Sequence, residues 1–281
     1  MTAPSGDAWR GGPVSPRAHA ILAPNPGPMT LDGTNTWVLV EPGSPAAVVV
    51  DPGPADADHL DRVLAMVADL GASVELVVVT HGHADHTDGL AALRRRVDAP
   101  VLAVDHAWRA GTDEPLDGAH LEVGGLRLQV LRTPGHTADS LCLVLPDDAA
   151  VLTGDTVLGR GPSVVAHPDG RLGPYLASLR RLRALADVGT VQTLLVGHGP
   201  VRPDAADALD ALWQHRQGRL AEVRAAVRAG ATSVDDVVAV VYAAVDPVLW
   251  PAAARSVAAQ LAYLAEQGEA PPLEGFSAPG A

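Results

Sequence analysis

Lysine is absent from this 281-residue chain: all 20 cationic side chains are arginine, set against 33 carboxylates, for a net charge of −13. With the richness in Ala, Gly and Pro, the missing lysine reflects a biased genome composition and not a function. A net-acidic protein is a poor general binder of phosphate backbones. Any nucleic acid would have to be held by local arginine clusters and by metals. Cys142 is the only cysteine, which excludes an intramolecular disulfide and fits a reducing compartment. No apolar run approaches the roughly 18 residues of a membrane span. Met1 to Pro16 has no apolar h-region, so no secretory signal is read there. Together these absences give the expectation of a cytoplasmic protein with no membrane partner. No Gly-x-Ser-x-Gly elbow or other covalent signature occurs.

What the chain does have is Thr80-His81-Gly82-His83-Ala84-Asp85-His86. Four metal-capable side chains fall within six positions. The run Val74 to Val79 before it reads as a buried parallel strand. A strand ending in a tight loop of this kind points imidazoles and a carboxylate into one small volume, a donor set that suits zinc, iron or manganese.

Further loops repeat the layout. Ala46 to Val50 reads as a strand ending in Asp51-Pro52-Gly53. There Asp51 is either a turn cap or a carboxylate that hydrogen-bonds a ligating histidine. Leu126 to Leu131 alternates as a half-buried strand and leads to Gly135-His136-Thr137. Ala149 to Leu152 ends in Gly154-Asp155, and Val191 to Val196 ends in Gly197-His198. Loops at one edge of a sheet are where a rigid scaffold places chemistry. Five of the eleven histidines lie in these loops. The other six default to surface or structural roles, with His167 placed nearest the pocket. The turn-rich stretch Asn25 to Thr36 is either a hairpin connection or part of the pocket wall. Helices are expected over 56–70, near 87–97, and from Tyr175 to Leu185, with Arg94-Arg95-Arg96 as a solvated last turn. Residues 1–18 read as a loose tail, and 112–125 as polar turns. After Pro200 three helices are expected, over 204–229, from Ser233, and over 250–267, with a short wing. Their apolar stripes fit packing on the main domain, or a homodimer.

Five imidazoles with Asp85 and Asp155 are enough for two divalent metals that share a bridging carboxylate. Such a pair lowers the pKa of bound water from about 15.7 to about 7, giving a hydroxide nucleophile without a serine or cysteine.

These motifs resemble the metallo-β-lactamase fold superfamily of metal-dependent hydrolases over about residues 20–202. The resemblance implies an αββα sandwich with the metals at one edge. It implies that His81, His83 and His136 bind one metal, that Asp85, His86 and His198 bind the second, that Asp155 bridges, and that Asp51 supports a ligand. Zinc is the first choice of metal, with manganese or iron also compatible. The stretch Asn25 to Thr36, the run Gly197 to Val201 and the helical tail are similar to the β-lactamase-like protein 2 group. That group has a winged-helix-like C-terminal domain, and its members include single-strand-selective endoribonucleases and thioester hydrolases. The expected organisation is a tail over 1–18, the hydrolase domain over 19–202 and the helical winged-helix-like domain over 203–281. Asp88, Asp139 and Ser140 depart from the family pattern beside the pocket, which leaves substrate choice open.

The leading expectation is hydrolysis of phosphodiesters in single-stranded RNA, with the acidic balance against it. The alternative is a thioester of acyl-glutathione or acyl-CoA type, which needs no cationic groove. A β-lactam ranks lower, as do a redox sensor using iron and a non-catalytic nucleic-acid-binding protein, since the third tail helix holds only Arg255 as a cation.

Overall fold

Valine-rich runs become inner strands of one sheet and leucine-rich runs those of a second sheet facing it. The structure is a computed structural model and describes residues 9–272. The first sheet has six strands in chain order: β1 (Gly11–Pro13), β2 (Ala18–Leu22), β3 (Asn35–Val40), β4 (Ala46–Val50), β5 (Ser73–Val78) and β6 (Val101–Leu102). It is antiparallel from β1 to β4 and parallel from β4 to β6. The second contains β7 (His120–Val123), β8 (Leu126–Arg132), β9 (Leu141–Leu145), β10 (Ala150–Gly154) and β11 (Thr193–Val196), in the order β11-β10-β9-β8-β7. Only β10 and β11 run parallel there.

The inner strands β3, β4, β9 and β10 are buried on both sides because both sides are covered, whereas β8 alternates buried Leu126, Leu128 and Val130 with Arg127 and Gln129. Along β3, Trp37 and Leu39 point between the sheets, where they meet Leu128, Leu143 and Leu152. Val38 and Val40 point the other way, onto Leu60, Val63 and Val67 of α1 (Ala57–Asp69). The outer face of the second sheet is covered by α4 (Leu172–Asp187) and then by α5 (Ala205–Arg228), α6 (Val234–Val241) and α7 (Trp250–Glu266). One buried cluster runs from Val144 and Val151 through Tyr175 and Leu179 to Leu209, Val237 and Leu261. The layers are helix, sheet, sheet, helix: the expected αββα sandwich, with the C-terminal helices fused to its outside.

Several expectations need correction. Residues 1–8 of the expected tail lie outside the described residues, but 11–18 is not loose. It forms β1, an edge strand on β2, and Trp9 Nε1 donates to Asn35 Oδ1 at 2.7 Å. Pro13 has no N–H to offer and is tolerated because β1 is an edge. The helix near 87–97 is instead two short pieces, α2 (Ala84–Thr87) and α3 (Leu90–Leu93). Between them Gly89 passes so close to the first sheet that a Cβ there would lie 2.7 Å from the Pro52 carbonyl oxygen. Arg94, Arg95 and Arg96 are exposed, as expected. The polar stretch 112–125 contains β7. No strand follows β11 among the described residues, so no wing is formed there. Among those residues no helix is long and apolar enough to cross a membrane.

Candidate metal centre

The loops after β5, β8, β10 and β11 bring together all seven side chains singled out as ligands. His81, His83, His136 and Asp155 form one group, and Asp85, His86 and His198 form another; within each, the donor atoms lie within 4.8 Å of one another. Asp155 stands between them, with Oδ2 at 3.2 Å from His198 Nε2 and 3.7 Å from His136 Nε2. Its Oδ1 is 3.5 Å from His86 Nε2.

Four of the five imidazoles are aimed by a partner on their outer nitrogen, which fixes the tautomer and turns the inner nitrogen toward the centre. His136 Nδ1–H donates to the Val164 carbonyl at 2.7 Å, and His198 Nδ1–H to the Gly33 carbonyl at 3.2 Å. His86 Nδ1 meets Asp51 Oδ2 at 2.8 Å. Thr80 Oγ1 donates to the same carboxylate at 2.7 Å and accepts from His81 Nδ1 at 3.0 Å. Asp51 therefore orients His86 directly and His81 through Thr80. The Asp51 carboxylate is not merely a turn cap.

This donor set fits divalent cations. His83 Nδ1 lies 3.0 Å from His81 Nε2 and 3.1 Å from His136 Nε2. Two of those nitrogens present lone pairs, because their protons are committed outward. Lone pairs converging this closely repel unless positive charge sits among them. Asp155 Oδ1 is buried with no hydrogen-bond partner, an orphaned acceptor that a cation would satisfy.

The carboxylates also stabilise positive charge on their own neighbours. Burial works against a charged His86, but Asp51 and Asp155 outweigh it and hold its pKa well above the imidazole range. Burial opposes charge on His198 as well, yet Asp155 and Asp85 raise it to about 9. Burial pushes His136 down to about 4 and His81 well below its ordinary value, with His86 adding repulsion. Burial would raise Asp85, but the hydrogen bond from His198 and the charge on His86 bring it to about 2. Asp155 is likewise held well below the carboxylate range by His198 and His86, against burial.

Sequence reasoning missed part of the support. Thr34 Oγ1 donates to Asp85 Oδ2 at 3.2 Å, and Asn25 Nδ2 donates to Thr34 Oγ1 at 2.9 Å. Asn35 Nδ2 bonds the carbonyls of Val196 and Gly199 on either side of His198. The turn-rich stretch is thus a wall of the site. Of the departures, Asp88 is exposed and plays no part in it. Ser140 is buried, its Oγ 2.6 Å from Thr137 Oγ1, and braces the loop carrying His136.

Beside His83 opens a cleft of about 560 Å³, lined by Trp108 and Thr137 and by three carboxylates, Asp105, Asp139 and Asp169, with no arginine in its wall. Burial pushes the Asp139 carboxyl upward. Trp108 and these acids come from loops with no periodic signal, so only Asp139 was singled out beforehand.

Residues 29–198 match the Metallo-beta-lactamase superfamily, and residues 233–271 match the Beta-lactamase associated winged helix domain. Among curated proteins, the chain is 31% identical over 219 residues to a beta-lactamase-like protein 2 homolog of Caenorhabditis elegans, covering 75% of this chain and 70% of that one. It is 33% identical over 172 residues to an atrochrysone carboxyl ACP thioesterase of Cryptosporiopsis sp., covering 61% of this chain and 52% of that one. The chain thus spans between about half and 70% of the length of these relatives. Among solved structures, a metallo-beta-lactamase family protein from Thermus thermophilus superposes with a TM-score of 0.73 at 23% identity, over 90% of this chain and 95% of that one.

Proposed function

The chain belongs to the Metallo-beta-lactamase superfamily, and from that premise we propose that it is a hydrolase of thioesters that works with two divalent metal ions, zinc first among them. His81, His83 and His136 would hold one ion, Asp85, His86 and His198 the other, and Asp155 both. When bound, the ions supply Lewis acidity and lower the pKa of water in their shell from about 15.7 to about 7. The remaining work falls to the chain's own groups. Asp51, Thr80, Val164 and Gly33 keep the imidazoles aimed. Asp85, whose side chain is 28% exposed, faces the solvent side of the centre. Its carboxylate takes the proton released as water attacks the carbonyl, and delivers it toward the departing thiolate.

The observation that carries the choice of substrate is the cleft wall. Three carboxylates and no arginine stand beside His83. A phosphodiester backbone would meet like charge there in addition to the overall −13. A thioester carbonyl is uncharged and needs no cationic groove. The order of the two substrate classes is therefore reversed from the one the sequence suggests, because Asp105, Asp139 and Asp169 meet only in the folded chain. The similarity to a protein named as an ACP thioesterase supports the same class.

The test is direct. Zinc-loaded protein is given a neutral acyl N-acetylcysteamine thioester and, separately, a short single-stranded RNA. Thioester turnover is expected, with a loss of about 10²-fold or more in Asp85→Asn. RNA cleavage without thioester turnover would reinstate the phosphodiester reading. No turnover of either substrate by protein holding two zinc ions would remove both.

A further inference from the structure

Arg216 is a buried guanidinium with no carboxylate. It sits at mid-length in α5, 8% exposed, and no acid pairs with it among the described residues. Its Cζ lies 4.8 Å from the centre of the Tyr175 ring, a cation–π contact. One terminal nitrogen donates to the Ser163 carbonyl, while Nε is buried without a partner. Burying a charge this poorly compensated costs stability that an apolar side chain of the same length would not. Core packing therefore does not account for it.

The Ser163 carbonyl connects it to the metal centre. Ser163 Oγ is 3.0 Å from His136 Nδ1, and the next residue, Val164, provides the carbonyl that accepts that nitrogen's proton at 2.7 Å. The segment between Gly159 and Arg171 belongs to no strand or helix, so no ladder of its own fixes these groups. It is tied on one side to the loop of His136, where Arg171 N donates to the Gly135 carbonyl at 3.0 Å. On the other side it is tied to the C-terminal helices, by Arg216 and by the Arg255 carbonyl of α7, which accepts from His167 N at 3.3 Å.

We propose that Arg216 is a positioning residue for His136: by holding the Ser163 peptide it sets the Val164 carbonyl that aims His136 into the first donor group, and so gives the C-terminal helices a part in forming the metal centre. The inference rests on the metal-binding reading above. It assigns the helical unit a role in completing the site and not in reading nucleic acid.

The experiment titrates metal-free full-length protein with Zn²⁺ against a chromophoric chelator, counts bound ions by native mass spectrometry, and follows the His136 Nδ1–H proton by NMR. In Arg216→Met, which keeps length and packing, one zinc site is expected to weaken about tenfold, as for other outer partners of ligating histidines. The other site should keep its affinity, and the His136 Nδ1–H resonance should broaden or vanish. Arg216→Lys, which keeps the charge and one donor, should restore part of the loss. His136→Ala should lose the same site, with no further loss when combined with Arg216→Met. If Arg216→Met does not fold, Arg216→Lys decides by whether its weakening is confined to that one site. Unchanged affinities, or equal weakening of both sites, would overturn the proposal. A parent protein that binds no zinc would instead overturn the functional reading, and this inference with it.

Discussion

Asp51 ends β4 in the left-handed region, at φ 53°, where a non-glycine residue needs a reason to be. The reason is that one carboxylate serves three donors: Thr80 N and Thr80 Oγ1, each at 2.7 Å, and His86 Nδ1 at 2.8 Å. Asn tolerates the same backbone, but its amide has one acceptor oxygen and would turn an N–H toward one of these donors. Asp51→Asn should therefore fold and bind zinc about 10- to 100-fold more weakly at the His86 site, as measured by chelator competition. Equal affinity in parent and variant would reduce Asp51 to a turn cap. The acid's place before Pro52-Gly53 was legible in the sequence, as were the seven side chains that converge, because four of them stand within six positions and the other three each follow a glycine at or just after a strand end. Thr80's relay to His81 and Thr34's bond to Asp85 were not. Their partners are chosen by the fold, and a threonine in a turn carries no periodic signal.

At the scale of elements, α1 shows how a residue read as structural becomes a constraint. Asp56 caps the helix by accepting from His59 N at 2.6 Å, and the His59 ring is buried, with Nε2 at 2.8 Å from Thr36 Oγ1. Burial pushes its pKa down to about 4, with Arg62 adding repulsion and Asp56 partly offsetting it. The folded chain thus binds fewer protons at this ring than the unfolded chain between about pH 6.5 and 4. The ring's contribution is complete above pH 6.5 and is lost as pH falls through that window, by about 1.4 kcal/mol per unit and roughly 3 kcal/mol in all. Urea titrations at pH 7.5 and 5 should show a smaller acid-induced loss in His59→Gln than in the parent, both metal-free. Equal losses would mean that the ring is protonated in place.

A second element-scale constraint joins β8's loop to α4. Gly135 has φ 143°, and a Cβ there would fall 2.2 Å from the Tyr175 Cα. Gly135→Ala must push α4 off the His136 loop. The expected result is destabilisation of more than about 3 kcal/mol in urea unfolding, in the range of severe overpacking; a change under about 1 kcal/mol would show that the loop can yield. Interior strands such as β4 and β10 were legible because two-sided burial writes continuous apolar runs, and β8 because its apolar residues alternate; β2, also interior, was not, because its run Ala18–Leu22 is short and carries His19. β1 and β7, at sheet edges and half-exposed, were not. The single helix expected near 87–97 failed because the close approach of Gly89 to the first sheet interrupts it, a constraint that helical spacing does not record.

At the scale of the whole molecule, the C-terminal helices were legible as helices with apolar stripes that fit packing on the main domain, but which residues of the sandwich share a core with them was not. Leu209, Leu220, Val223, Val257 and Leu261 share one buried cluster with Leu176, Leu179 and Leu182 of α4 and with Val144 and Val151 of the second sheet. Leaving even four leucine-sized side chains of that cluster in water costs on the order of 6–12 kcal/mol. That is comparable to the entire stability of a typical domain, about 5–15 kcal/mol. Ending the chain after Pro203 should therefore give a protein that aggregates or lacks a cooperative melt, even with zinc in excess. It would also lose Arg216 and the Arg255 carbonyl, so any soluble fraction should hold its zinc weakly at the His136 side. Size-exclusion chromatography with circular-dichroism melts reads the first effect, and chelator competition reads the second. A soluble chain ending at Pro203 that melts cooperatively and holds two zinc ions as tightly as the parent would make the helices a separable appendage, and would leave the shared cluster as contact without dependence.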